Sequence, residues 1–252
     1  MAGRRVASGR IDGRIFIVLL ALVGCLDAGG VAVAAEPHHQ DVDATQFPWS
    51  SVAKLFNSVG GACTGAVIAP GRVLTAAHCL YAFRTKRFLQ PDAIHVLLGY
   101  DRGDYREHAR VVRYRIGPGY DPASERSTAA QDWAVLELAE PLPRSVRPLA
   151  VAAAVPTPAT PIMVGGFARD RAYRMTADTA CSVTAAAPAR GLIAHGCVIG
   201  PGDSGAPLLR RTDDGGFEIV GVAVGIWKTA GRSINIAASM SPGVLAAALA
   251  PP

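Results

Sequence analysis

Short apolar runs, repeatedly broken by Gly, Pro, Asn or Asp, fill the chain from about residue 47 to residue 240. Runs of this length with turn residues at their ends predict β-strands, and no long amphipathic helix pattern interrupts them. In the first half the predicted strands cover residues 67–68, 72–75, 94–98, 111–116 and 133–138. In the second half they cover residues 162–164, 182–184, 208–209, 217–224 and 234–238. Many short strands joined by Gly and Pro turns are typical of an all-β barrel or sandwich.

A stretch rich in proline and alanine, residues 141–161, divides this pattern into two halves. Such a composition favours an extended connection, so we expect one β unit over about 47–145 and a second over about 146–240. Only the end of the chain has a helical pattern. Ser241, which is followed by a proline, can cap a short helix that we predict over 241–249.

The first 35 residues have the order of a secretory signal peptide. Four arginines precede an apolar run over 15–23, and small residues then lead to an Ala-Val-Ala triplet. The run is too short to span a bilayer as a helix, and the order of segments predicts cleavage near Ala34 or Ala35. An alternative is the Leu-Val-Gly-Cys sequence at 22–25, which resembles a bacterial lipoprotein processing box. In that case a lipidated Cys25 would tether the chain to a membrane.

Cysteine usage is also typical of an exported protein. Besides the cysteine in the leader the chain has four more, and an even number in an exported chain predicts two disulfides. Four cysteines allow three connectivities. The simplest joins neighbours in the sequence, Cys63 with Cys79 and Cys181 with Cys197. In the chain-entropy model each loop of this size contributes about 3 kcal/mol to stability.

Composition excludes some classes of protein. Half of the 252 residues are hydrophobic and 18% are charged, so the chain can bury a sizeable core and does not resemble a disordered protein. Removing four arginines and two aspartates with the signal peptide leaves 21 basic and 18 acidic residues. They are scattered, which excludes the basic footprint of a nucleic-acid-binding protein. A polar leader remnant over 36–46 is expected to precede a folded domain over 47–250.

The strongest chemical signal is the Gly-Asp-Ser-Gly sequence at 202–205, which contains Ser204. A serine beside glycines can stand in a tight turn that a substrate carbonyl approaches closely, because glycine adopts backbone angles closed to other residues. A serine hydroxyl is a weak nucleophile on its own and needs a neighbouring base. The sequence therefore has to supply that base elsewhere.

Two further segments contain a candidate base and a candidate acid that orients it. His78 ends an apolar segment beside Cys79, whose disulfide would hold the loop that carries the imidazole. Asp132 opens the apolar segment Asp-Trp-Ala-Val-Leu, so its carboxylate can lie partly buried beside a histidine. The order His, Asp, Ser is that of the chymotrypsin template and not that of subtilisins or α/β-hydrolases. The residue two after the serine is Ala206, so the G-x-S-x-G elbow of the α/β-hydrolases is absent.

The TAAHC, DWAVL and GDSGAP segments resemble the three catalytic blocks of the chymotrypsin-like (trypsin-type) serine peptidases, the bacterial secreted branch most of all. The resemblance covers roughly residues 47–249. It implies two packed six-stranded antiparallel β-barrels with the active site in the cleft between them. It assigns catalytic roles to three side chains: the nucleophile Ser204, the base His78 and the orienting carboxylate Asp132. It also implies an oxyanion hole formed by the N–H groups of Gly202 and Ser204, and a Cys63–Cys79 bridge around the histidine loop.

The resemblance is less informative about activation and specificity. No Ile-Val-Gly-Gly-like segment precedes Phe47, so activation through a newly cut N-terminus is not predicted. By the family's spacing the floor of the specificity pocket is Val198, which is apolar. His195 could line a pocket for acidic side chains, although a structural role is the simpler interpretation. The wall of the substrate pocket is expected at Val224, Gly225 and Ile226.

The predicted function is that of an exported serine endopeptidase that forms an acyl-enzyme on Ser204. We expect protein or peptide substrates, a monomer, and no nucleic acid, cofactor or metal. The loop with Asp101, Asp104 and Glu107 lacks the carboxylate pattern of a calcium site. One alternative is a catalytically idle homologue that acts as a binding module, although no triad residue is missing. Another is an esterase with the same triad, which the absent elbow disfavours.

Overall fold

The computed structural model of the protein describes residues 39–58, 60–229 and 231–249, and the predicted signal peptide with Cys25 lies outside them. The strands are β1 (Gln40–Asp41), β2 (Val52–Asn57), β3 (Ala62–Ala69), β4 (Arg72–Thr75), β5 (Tyr81–Ala82), β6 (Arg87–Phe88), β7 (Ile94–Leu98), β8 (Glu107–Ile116), β9 (Ala134–Leu138), β10 (Ala150–Val151), β11 (Pro161–Gly166), β12 (Thr176–Ala187), β13 (Leu192–His195), β14 (Pro207–Arg211), β15 (Phe217–Thr229) and β16 (Arg232–Ser239). Short 3₁₀ turns cover Trp49–Ser51, Ala77–Leu80, Pro91–Ala93, Ala129–Gln131, Arg169–Arg171 and Pro188–Arg190, and helix α1 covers Pro242–Leu249.

The first barrel closes through β2, β3, β4, β9, β8 and β7, in that order, with all neighbours antiparallel. Its interior is filled by aliphatic side chains from every one of these strands, among them Leu55, Val67, Val73, Val96, Val111 and Leu136. β4 and β7 have the bounds that the apolar pattern predicts. β2 is absent from the predicted strands because Lys54 interrupts its apolar run.

The second barrel closes through β11, β12, β13, β16, β15 and β14, and again all neighbours are antiparallel. Its interior contains Ile162, Val164, Val183, Ile193, Leu208 and Val220. β13 is absent from the predicted strands because its apolar run, Leu192 to Ala194, ends on a histidine. The predicted all-β fold of two six-stranded barrels is confirmed.

The segment predicted as a polar leader remnant contributes to the second barrel where the structure describes it. β1 pairs with β12, and Ala44 is buried in the core. A further hydrophobic cluster contains residues of both barrels, including Trp49, Leu74, Phe167 and Val222. The barrels therefore share buried surface, which fixes the side chains at their junction.

Helix α1 matches the predicted C-terminal helix, and its first turn is capped as expected. The hydroxyl of Ser241 accepts a hydrogen bond from the N–H of Val244 at 3.3 Å. None of the helices within the described residues is long and apolar enough to cross a membrane. The domain boundaries at residues 35 and 46 stay predictions.

Candidate active site

His78 lies in the 3₁₀ turn that follows β4. One neighbouring disulfide and two contacts with Asp132 hold it there. The Cys63–Cys79 disulfide joins the residue after His78 to β3. The backbone N–H of His78 donates a hydrogen bond to Oδ1 of Asp132 at 2.9 Å. Its ring Nδ1 lies 2.7 Å from Oδ2 of the same carboxylate. Both carboxylate oxygens therefore fix the position of the imidazole.

Asp132 reaches His78 because of the register of two paired strands. Thr75 at the end of β4 lies opposite Ala134 at the start of β9. His78 follows the first strand and Asp132 precedes the second, so both come to the same end of the barrel. Asp132 is 3% exposed, so its charge acts on the histidine with little screening by water.

The environment of His78 changes its pKa in two opposing ways. Burial alone lowers the pKa of the imidazole, whereas the hydrogen bond and the negative charge of Asp132 raise it, with a further contribution from Glu125. The net pKa of His78 lies above its usual value of 6.5. The imidazolium is therefore stabilised at this position, as a base that takes up a proton during a reaction requires.

Ser204 follows a tight turn in which residue 202 has to be a glycine. Gly202 has φ +105°, and a Cβ at this residue would lie 2.4 Å from the carbonyl oxygen of Phe167. The carbonyl of Ser204 accepts a hydrogen bond from the N–H of Thr64 at 2.8 Å. Ser204 of the second barrel is thereby tied to β3 of the first. Ser204, Gly202 and His78 line one cavity of about 220 Å³.

The backbone donors around Ser204 point to a site for negative charge. Within the part of the chain that the structure describes, the N–H groups of Gly202 and Ser204 donate no hydrogen bond. Such free N–H groups in a tight turn can bind a developing oxyanion. They are the two donors that the resemblance implies.

Thr64, which the sequence analysis did not single out, holds the glycine turn in place. Its buried hydroxyl donates to the carbonyl of Gly202 at 2.9 Å and accepts from the N–H of Phe167 at 3.1 Å. It therefore joins the first barrel to two segments of the second. No local sequence signal marks this threonine.

Asp203 is buried directly before the candidate nucleophile. Its Oδ2 accepts a hydrogen bond from the N–H of Gly200 at 2.9 Å, and its Oδ1 has no hydrogen-bond partner among the described residues. Burial raises the pKa of Asp203 to about 7, against the lowering effect of the Gly200 hydrogen bond. The buried Asp203 side chain therefore links the two ends of the turn over 200–203 through its hydrogen bond with Gly200.

Two further cavities flank Ser204 and His78. The first, of about 230 Å³, is lined by Ile199, Gly200, Pro201, Ser204, Ala223, Gly225 and Ile226. None of these residues has a charged side chain. The second, of about 310 Å³, has a wall of His78, Phe83, Glu125, Arg126, Ala129, Asp132, Val224, Gly225, Ile226 and Trp227. The predicted wall residues Val224, Gly225 and Ile226 thus lie beside the candidate catalytic residues.

The structure places the other two predicted pocket residues elsewhere. Val198 is 43% exposed and lines a separate cavity with His39 and Asp170. His195 is buried in β13, and it lines none of the cavities that contain Ser204. Burial lowers the pKa of His195 to about 4, so the imidazole is neutral at neutral pH. The structural role of His195 stays a prediction.

Both local disulfides are present, Cys63–Cys79 and Cys181–Cys197. The sulfur atoms of the first lie within 4.8 Å of a His78 ring nitrogen. Because both sulfurs are bonded to each other, they are not thiolate ligands for a metal. The second disulfide fixes Cys197 directly before the 198–201 segment, of which residues 199–201 line a cavity with Ser204.

Comparison with known proteins agrees with this arrangement. The family model described as Trypsin matches residues 37–244, and the chain belongs to the Trypsin family. A trypsin from Sarcophaga bullata is 29% identical over 169 residues, which are 60% of this chain and 58% of that relative. The chain thus spans less than two thirds of the length of this curated relative. The bacterial branch stays a prediction.

A solved structure titled "Structure of Glu endopeptidase in complex with MPD" has the same fold. It aligns with a TM-score of 0.69 over 82% of this chain and 93% of that chain. The two sequences are 20% identical, so the likeness is one of fold alone.

Proposed function

We propose that the protein is an exported serine endopeptidase that uses Ser204, His78 and Asp132. The observation that carries this proposal is the double contact of Asp132 with His78, at 2.9 Å to the backbone N–H and 2.7 Å to Nδ1. His78 in turn shares a cavity with Ser204. Membership of the Trypsin family supports the same reaction.

Each side chain has a defined role in the reaction. Asp132 accepts a hydrogen bond from Nδ1–H of His78, which holds the neutral ring in the tautomer whose Nε2 lone pair can take the proton of the Ser204 hydroxyl. The serine oxygen then attacks the carbonyl carbon of the substrate. The N–H groups of Gly202 and Ser204 stabilise the oxyanion, and His78 returns the proton to the leaving amine. Water then hydrolyses the acyl-enzyme by the same route, and these steps need no cofactor.

The free edge of β15 supports binding of an extended peptide. β14 pairs with β15 only as far as Val222, and β15 continues to Thr229 with β16 as its partner. Within the described residues the other edge of 224–227 is unpaired beside the catalytic cavities. An extended substrate can add to such an edge as a further strand.

The cavity between Ser204 and Ile226 supports a preference for apolar side chains before the cut. Its lining has no charged side chain that could neutralise Lys, Arg, Asp or Glu. A peptide library should therefore show cleavage after Leu, Met or Phe. Dominant cleavage after Arg, Lys or Glu would contradict this preference.

Glu125 adds a second element of specificity. It is exposed, lines the cavity with His78 and Trp227, and has no salt bridge among the described residues. We expect it to favour Lys or Arg two to four positions before the cut. Glu125→Gln should reduce this preference in the same library, by roughly 1.5- to fivefold in kcat/KM, since an exposed ion pair contributes about 0.2–1 kcal/mol. Asp121→Asn, in the same loop, is the matched control and should leave the preference unchanged.

A fluorophosphonate probe tests the catalytic proposal directly. The wild-type protein should be labelled, Ser204→Ala should not, and His78→Ala should be labelled much more slowly. A folded wild-type protein that stays unlabelled would favour an idle homologue that only binds peptides. A labelled protein that hydrolyses simple esters but no peptide would favour an esterase.

Export is the part of the proposal that rests on the leader and the two disulfides. Disulfides persist in oxidising compartments, which suits an extracytoplasmic protein. Mass spectrometry of the mature N-terminus distinguishes cleavage near Ala34 or Ala35 from lipidation at Cys25. Light scattering of the mature protein tests the predicted monomer.

A further inference from the structure

Arg169 lies beside the turn that contains the proposed oxyanion donors. It is the first residue of the 3₁₀ turn Arg169–Arg171, and it is exposed. Its backbone N–H donates a hydrogen bond to the carbonyl of Pro201 at 2.6 Å. A Cβ at Gly202 would lie 2.9 Å from the same nitrogen. The backbone of Arg169 is therefore packed directly against the turn that precedes Ser204.

The guanidinium of Arg169 is unpaired, unlike those of the neighbouring arginines. Arg171 and Arg174 both form salt bridges with Asp41. Arg169 forms no salt bridge with any residue that the structure describes, and its side chain donates no hydrogen bond to them. The adjacent Asp170 lines the cavity next to Val198 and is absent from the lining of the cavity that contains Ser204 and His78. The charge of Arg169 is therefore available to a carboxylate from outside the chain.

The cavity of about 220 Å³ that contains Ser204 and His78 lies where the residues after the cut would leave. The subsites proposed for residues before the cut all involve the 224–227 segment. None of these four residues lines the 220 Å³ cavity, which shares Ser204 with one of the other two cavities and His78 with the second. A peptide that pairs with 224–227 and passes Ser204 in one direction therefore continues into this cavity.

Arg169 gives this cavity a single positive charge beside the proposed base. The wall from the first barrel contains the Cys63–Cys79 disulfide with apolar and aromatic side chains, of which Phe83 is 53% exposed. The wall from the second barrel contains Arg169 and residues of the turn that precedes Ser204. None of the described residues that line the cavity is acidic. A guanidinium in such surroundings favours a carboxylate, which it can bind through two N–H groups.

We propose that Arg169 selects substrates with Asp or Glu at one of the first two positions after the cut. This inference rests on the proposed peptidase function and extends it to the leaving side of the substrate. An extended chain advances about 3.3 Å per residue, so both positions lie within about 7 Å of the scissile bond. Successive side chains of such a chain point to opposite faces. Only one of the two can therefore contact Arg169, while the other is directed toward the first barrel.

Pairs of peptides that differ in one residue after the cut test this proposal. Each pair has Leu before the cut, blocked termini, and either Glu or Gln at the first or the second position after it. For the wild type, kcat/KM should be roughly 1.5- to fivefold higher for Glu than for Gln at one of these positions, as expected of an exposed ion pair. Arg169→Gln should lose this preference, Arg169→Lys should keep part of it, and Arg169→Glu should reverse it.

The ratio of the two substrates separates charge recognition from a structural effect. A variant that is only less stable lowers both values alike and leaves the ratio unchanged. Arg171→Gln is the matched control, because Arg171 lies in the same turn, pairs with Asp41 and does not line the cavity that contains Ser204. This control should keep the wild-type ratio.

Three results would overturn the role of Arg169. The wild type could show no preference for Glu over Gln, or Arg169→Gln could keep the wild-type preference. The third is a preference that appears only when the peptide ends in a free carboxylate, since the bound group would then be the chain terminus and not an acidic side chain.

A Leu peptide with an aminocoumarin in place of the residues after the cut separates this proposal from the catalytic one. If the wild type hydrolyses it but does not distinguish Glu from Gln in the paired peptides, the role of Arg169 is refuted and the proposed peptidase function stands. If the wild type hydrolyses neither kind of substrate, the peptidase function is refuted and the role of Arg169 with it.

Discussion

Single side chains around His78 determine the proton chemistry that we propose. Asp132 contacts this residue through both carboxylate oxygens, and the net pKa of His78 lies above 6.5. Since the reaction needs neutral His78, kcat/KM should rise with pH as the imidazole loses its proton. The inflection should lie above pH 6.5, and activity should fall as the pH drops below it.

Asp132→Asn removes the charge that raises the pKa of His78 and also favours the wrong tautomer. We expect kcat to fall by about 10⁴-fold, as for the same change in the chymotrypsin template. The inflection of the remaining activity should move to lower pH, because burial then dominates the pKa of His78. Steady-state kinetics across pH measure both effects. An unchanged inflection would show that a different group limits the reaction.

At the scale of elements, two disulfides hold two loops to which we assign different steps of the proposed reaction. Cys63–Cys79 ties the His78 turn to β3, and Cys181–Cys197 anchors the strand end before the 198–201 segment. The first loop carries the proposed base, whereas the second contributes to the cavity that we propose for the substrate side chain. Removal of each bridge should therefore affect a different kinetic constant.

The double variant Cys63→Ala/Cys79→Ala should lose about 3 kcal/mol of stability and mainly reduce kcat. Cys181→Ala/Cys197→Ala should lose a similar free energy and mainly raise KM. Denaturant unfolding and kinetics on one peptide substrate measure both pairs side by side. If both variants changed kcat and KM alike, the disulfides would act only through overall stability.

At the scale of the whole molecule, the proposed site exists only where the barrels meet. Thr64 of the first barrel bonds to Gly202 and Phe167 of the second. Thr64→Val keeps the shape but leaves a buried carbonyl without its donor. We expect a loss of about 1–3 kcal/mol in stability. We also expect a lower kcat, because the turn with the proposed oxyanion donors Gly202 and Ser204 loses a hydrogen bond that holds it in place.

Thr64→Ser is the matched control for this change, since it keeps the hydroxyl and loses one methyl group. It should retain most of the activity while showing a small loss of stability. Unfolding curves and kcat values for the two variants separate the hydroxyl from the packing. Equal losses in both variants would assign the effect to the methyl group.

How much of the fold and of the proposed site could be predicted depends on whether the determining residues are neighbours in the sequence or far apart in it. The segments with His78, Asp132 and Ser204 are each contiguous, so their motifs, their order and the fold class could be inferred from the sequence. Thr64 acts on partners 138 and 103 residues away, and nothing near it in the chain indicates them. Val198 was selected by counting back from Ser204. Counting could not reveal that its side chain lines a separate cavity.

The geometry of the glycine turn also limits how this gene can vary. A Cβ at Gly202 would collide with backbone at 2.4 Å, and one at Gly205 with Thr64 oxygen at 2.2 Å, whereas a Cβ at Gly200 meets nothing within 4 Å. In a saturation library selected for activity, codons 202 and 205 should tolerate no replacement. Codon 200 should accept alanine and serine. Three glycines within six residues would then differ sharply in mutational tolerance, and a count of glycines in the sequence would not distinguish them.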